Sequence, residues 1–101
     1  MTKIRPAITR SKNTPLYNIS AAAKLSGLAI YTIRWLETNK LLYPKRSSGG
    51  QRIFSDADIE RLREIRELLR RHVNVQGIRV ILEIRSEYGS VNVLYRRRTI
   101  I

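Results

Sequence analysis

A chain of 101 residues with a net charge of +12, 20 lysines and arginines against 8 acids and no cysteine, has room for one small domain and two short tails. The missing cysteines exclude disulfides, thiolate metal sites and thiol redox chemistry, and the single histidine, His72, cannot assemble a zinc site. No apolar run approaches the ~18 residues of a membrane span, and the opening MTKIRPAITRSK lacks the apolar core of a secretory signal, so a cytoplasmic location is expected.

The charge is unevenly placed. Residues 1–16 carry bases and no acid, residues 17–54 set six bases against Glu37 alone, and residues 55–72 balance to zero. An excess gathered in the first half of the chain suits a polyanionic partner, of which nucleic acid is the commonest.

Residues 1–16 read as a flexible basic arm, because Pro6 and Pro15 discourage regular structure and no apolar period is present. A first helix is expected from Ser20, whose hydroxyl can cap the first turn. Ala22, Ala23 and Leu25 give it a small, close-packing face, and Ser26-Gly27 stops it. A second helix follows from about Ala29 to Asn39. Two short helices around a glycine turn form a helix-turn-helix. At about 100° per residue, Ala29, Ile30, Ile33 and Leu36 share the packed face of the second helix. Tyr31, Trp35 and Thr38 fall opposite, flanked by Thr32 and Arg34. An exposed tyrosine and tryptophan one turn apart suit a helix lying in a DNA major groove. There Arg34 can meet guanine or phosphate, Tyr31 and Thr32 can meet base edges or thymine methyls, and Trp35 can pack on the backbone. The bland alternative places Trp35 in the core.

Between Tyr43 and Phe54, two short segments flank Ser47-Ser48-Gly49-Gly50, which suggests a β-hairpin. A basic hairpin directly after a helix-turn-helix is a wing. Lys45, Arg46 and Arg52 line it, and each can neutralise a phosphate, as can Lys40. A third helix opens at Ser55 with Asp56 and Asp58 near its positive end, carries an apolar stripe of Ile59, Leu62, Ile65 and Leu69, and ends in Arg70, Arg71 and His72. Its mixed charges read as a solvated face. Asn74 can cap a fourth helix with Ile78, Ile81 and Leu82 on one side. Val91, Val93 and Tyr95 then alternate as a short strand ahead of Arg96-Arg97-Arg98. A strand that short must pair with something, a second subunit or a partner protein. No nucleophile–base pair, phosphate loop or metal cluster stands out, so no enzyme and no cofactor is expected.

From Tyr17 to about Arg85 the chain resembles the DNA-binding domain of the MerR family of transcription regulators. The residues that carry this are Thr32-Ile33-Arg34 with Glu37, Leu41-Leu42, Pro44, Arg46, Gly49-Gly50 with Arg52, Phe54-Ser55, Asp58-Ile59 and Arg61-Leu62. Tyr17 to Gly27, and the run Asn74-Val75-Gln76-Gly77-Ile78 with Ile81-Leu82-Glu83, are similar to the heat-shock repressors of that family. The second run is shared with its nitrogen-control repressors. Trp35-Leu36 and Ser47 depart from the usual pattern of the reading helix and the wing. The long dimerisation helix and effector domain of many relatives have no counterpart after residue 86, which argues against direct sensing of a metal, drug or oxidant.

The expected fold class is mainly α: a winged helix-turn-helix over residues 17–86 with a small β-hairpin wing, a basic arm at 1–16 and an apolar then basic tail at 87–101. The resemblance implies double-stranded DNA as partner, a homodimer on an inverted repeat near chaperone genes, and the chaperone DnaK as co-repressor. Two rivals stand beside this. An excisionase-like architectural factor uses a similar winged fold to bend DNA at tandem sites. A structural RNA-binding protein fits the charge, but A-form RNA hides its major groove from a helix.

Overall fold

The structure, a computed structural model, describes residues 11–88, with side chains as far as residue 85. The elements run β1 (Pro15–Tyr17), α1 (Ile19–Ser26), α2 (Ile30–Thr38), β2 (Lys45–Arg46), β3 (Arg52–Ser55), α3 (Asp56–Arg70) and α4 (Val75–Tyr88). This is the mainly helical fold with a hairpin that the sequence predicts. The chain divides into two compact units, the first ending at Arg66 and the second beginning at Glu67. The strand expected at residues 90–95 and most of both tails lie outside the described residues.

In the first unit the irregular arm ends earlier than expected. Pro15 already belongs to β1, which pairs antiparallel with β3 through Pro15 with Ser55 and Tyr17 with Phe54. The sheet order is β1-β3-β2, so a strand from upstream is added to the wing hairpin. Proline lacks a donor but is tolerated at the first position of an edge strand. The segment is tied down by distant partners: the Tyr17 hydroxyl donates to Asp56 at 2.7 Å, and the Ala57 N–H donates to the Lys12 carbonyl at 2.9 Å.

Helix α1 starts one residue before Ser20. Asn18 is its cap, with the side-chain oxygen accepting the Ala21 N–H at 2.9 Å. Asn and Ser cap comparably well, so the choice between them is made by where β1 delivers the chain. Gly27 ends the helix at φ 78°, and its N–H bonds the Ala23 carbonyl. A side chain there would meet Arg66 as well as backbone strain, since a Cβ would sit 3.0 Å from Arg66 Nε. Ala22 and Ser26 are buried, whereas Leu25 is exposed, against the expectation that it packs.

Helix α2 buries Ile33 and Leu36; Ala29 stands just before it as an exposed cap residue, not on the packed face. Leu41, Leu42 and Phe54 join them in the core with Ile59, Leu62 and Ile65 of α3. Truncating a core residue such as Phe54 to alanine costs about 3–5 kcal/mol in general. Ser55 and Asp58 cap α3 reciprocally: the Ser55 hydroxyl accepts the Asp58 N–H at 3.2 Å, and the Asp58 carboxylate accepts the Ser55 N–H at 2.9 Å.

In the second unit α3 stops at Arg70, and His72 lies beyond it at φ 62°. The His72 N–H reaches the Leu69 carbonyl and the Val73 N–H the Leu68 carbonyl, so the histidine occupies a left-handed end position. Asn74 caps α4 as expected, accepting the Gly77 N–H at 2.8 Å. Ile78 and Leu82 are buried and Ile81 is half-buried. Among the described residues no helix is long and apolar enough to cross a membrane, and no three side chains of metal-ligating type gather.

Candidate nucleic-acid interface

With Ile33 and Leu36 in the core, helical spacing forces positions 31, 34, 35 and 38 outward together. Tyr31 is 77% exposed and Trp35 43% exposed, so the tryptophan is not a core residue. Arg34 and Thr38 are exposed beside them, and Thr32 is half-buried. The Thr38 hydroxyl donates to the Arg34 carbonyl at 3.0 Å, turning it onto its own helix. The result is a one-sided row of two aromatic rings and a guanidinium that makes no use of the core.

The wing follows from its turn. The Gly50 N–H bonds the Ser47 carbonyl at 2.9 Å, the Ser47 N–H bonds the Gln51 carbonyl at 2.8 Å, and Gly50 takes φ 86°. This is a type I turn closed by a left-handed glycine, a common hairpin loop. It sets Arg46 opposite Arg52 and Lys45 opposite Ile53. Side chains alternate across a strand, so the two arginines share one face of the wing and Lys45 takes the other. A cleft is lined by the cap residue Asn18, Ser20 of α1, Arg34 of α2, and Arg46, Gln51 and Arg52 of the wing. Lys45 borders a separate hollow with Pro15, Tyr43 and Ile53. Lys40 is exposed in the turn after α2. The nine residues named from the sequence thus fall into three sets: the row on α2, the arginine cleft, and the two outlying lysines.

Glu37 is the residue that sequence reasoning did not assign. Its carboxylate accepts from Arg46 Nη2 at 2.8 Å on one oxygen and from Arg52 Nε at 2.5 Å on the other. Burial works to raise its pKa, but the bonds from Arg52 and Arg46 and their charges outweigh this and hold it below the ordinary value. The signal was present, because Glu37 is the lone acid among the six bases of residues 17–54. A second surprise is on α3, where the charged face is not merely solvated: Arg63 Nε donates to the Leu25 carbonyl at the end of α1 at 2.9 Å.

Residues 17–84 match the family model of the MerR HTH family regulatory proteins. The chain belongs to the MerR family. It is similar to the heat shock protein HspR of Streptomyces coelicolor, 38% identical over 82 residues that cover 80% of this chain and 54% of HspR. It is similar to the transcriptional regulator TnrA of Bacillus subtilis, 37% identical over 76 residues, 75% of this chain and 67% of TnrA. This MerR-family chain thus spans about half the length of HspR and two thirds of TnrA. Among solved structures it resembles HiNmlR, a MerR-family regulator lacking the sensor domain and bound to promoter DNA, with a TM-score of 0.68 at 25% identity over 83% of this chain and 64% of that one.

Proposed function

We propose that this MerR-family protein is a sequence-specific, double-stranded DNA-binding transcription repressor that acts as a homodimer on an inverted-repeat operator near chaperone genes, with DnaK as co-repressor. The observation that carries the DNA-binding reading is the outward row of Tyr31, Arg34 and Trp35 standing next to the arginine cleft of the wing. The row has the width of a helix face and suits a major groove. The cleft has the charge to grip the adjoining phosphates. In this reading Arg34 recognises guanine edges, Tyr31 and Thr32 meet bases or thymine methyls, Trp35 packs on the sugar-phosphate backbone, and Thr38 lies at the end of the row. Arg46, Arg52, Lys45 and Lys40 supply phosphate contacts, which orient the protein and set its salt dependence.

The heat-shock part rests on HspR and on the likeness of residues 17–27 to that branch. TnrA matches at nearly the same identity, so nitrogen control is the second reading. Selection of bound duplexes from a random library, followed by footprinting, tests the proposal. Inverted repeats that map upstream of chaperone genes are expected. Tandem direct sites would favour a DNA-bending architectural factor, and enrichment near nitrogen-assimilation genes would favour the second reading. In the same assay Arg34→Ala should lose about 1–3 kcal/mol on the selected site, and less on random DNA. Equal losses on both would reduce Arg34 to a phosphate contact.

A further inference from the structure

We propose that Glu37 is the positioning residue of the DNA interface: by bridging Arg46 and Arg52 it locks the wing to the reading helix, so that base reading and phosphate gripping stay in register. The inference rests on the DNA-binding reading above.

Three observations lead to it. Arg46 and Arg52 are direct cross-strand partners in β2 and β3, and like charges placed opposite each other push a hairpin apart. Something must hold them, and the Glu37 carboxylate does so with one oxygen for each arginine. Next, Glu37 lies in the last turn of α2, where the helix dipole disfavours a negative charge, and that turn holds no base. A residue locally wrong for its helix and right only for its partners marks a site where another demand prevails. Finally, the bonding leaves the arginines oriented. Arg46 divides its terminal nitrogens between Glu37 and the Gly50 carbonyl, at 2.8 and 3.2 Å. Arg52 meets Glu37 through Nε, and it lines the cleft that Arg34 also lines. A guanidinium has five N–H groups, so Arg52 can hold Glu37 on one edge and meet a phosphate with its terminal edge.

Glu37 is also an anion in a surface meant for an anion. If it acted only as a counter-charge, removing it would strengthen binding to all duplexes alike. A positioning role predicts something different. Loss of the bridge frees two arginines for non-specific phosphate contacts but lets the wing drift from the reading helix. Binding to random DNA should then hold or tighten while preference for the operator falls.

The test compares the full chain with Glu37→Gln on the selected operator and on random duplex of equal length. The ratio of the two affinities is expected to fall by about tenfold, in the range of directly interacting residues. The same substitution made in an Arg46→Gln, Arg52→Gln background should leave that ratio unchanged, a readout that a general loss of stability would not give. Should Glu37→Gln fail to fold, Glu37→Asp keeps the charge but is too short to bridge both arginines, and the same fall is expected. Equal factors on operator and random DNA would overturn the inference, as would an undiminished effect without the arginines. Failure of the wild-type chain to prefer any duplex would overturn the functional proposal instead.

Discussion

Glu37 also carries a stability consequence that can be signed. Its pKa is lowered in the folded protein, because its two arginines outweigh the burial that opposes ionisation. A carboxylate with a depressed folded pKa contributes stability that is full above its unfolded value. The contribution goes as pH falls through the folded value. The unfolding midpoints of the wild type and of Glu37→Gln should therefore differ at neutral pH and converge below the ordinary value of 4.5. A gap that persists well below that pH would mean the side chain acts through packing and not through charge. At this scale the sequence was informative about residue type and silent about partners. Tyr31, Arg34 and Trp35 were legible because two buried aliphatics dictate which way a nine-residue helix turns. The roles of Glu37 and Arg63 were not, since their partners stand 9, 15 and 38 residues away and no local pattern reports them.

Helix ends show the same division at the scale of elements. Gly27, Ser55 and Asn74 were legible as signals because a left-handed glycine and a capping side chain act within four residues of themselves. Strand β1 was invisible, being three residues that begin with proline and depend on β3 for their bonds. The end of α2 adds a feature that neither glycine nor asparagine announces. The Leu41 N–H bonds the Leu36 carbonyl at 3.0 Å and the Lys40 N–H bonds the Glu37 carbonyl at 2.9 Å, with Lys40 at φ 61°. These two bonds form a Schellman ending with a lysine where glycine is preferred. The left-handed conformation costs an L-residue roughly 1–2 kcal/mol, offset in part by the greater freedom glycine loses on folding. Lys40→Gly should thus raise stability by about 0.5–1 kcal/mol. If Lys40 meets a phosphate, the variant should also bind every duplex more weakly, with the salt slope reduced by about one. A more stable protein with unchanged salt dependence would place Lys40 off the DNA, and a less stable one would contradict the strain.

A single copy of this fold is a poor reader on its own. Helix α2 has nine residues, which at ~1.5 Å per residue span about four base pairs of duplex. Four base pairs recur too often by chance to mark an operator, and the proposed homodimer answers this with a second copy whose reading helix faces the next exposure of the same groove. Closed two-fold pairing is the commonest way to obtain one, and it makes the preferred site an inverted repeat. The proposed dimer then has a geometric consequence. Inserting about five base pairs between the half-sites rotates one by roughly half a turn. Binding should fall to that of an isolated half-site, and at saturation each half-site should take its own dimer, so that the number of chains per duplex rises from two to four. Sedimentation of the complexes, read beside the titration, measures both. Affinity that ignores the spacer, or a single chain bound to the unaltered operator, would leave the protein acting as a monomer whose specificity must come from contacts beyond α2 and the wing.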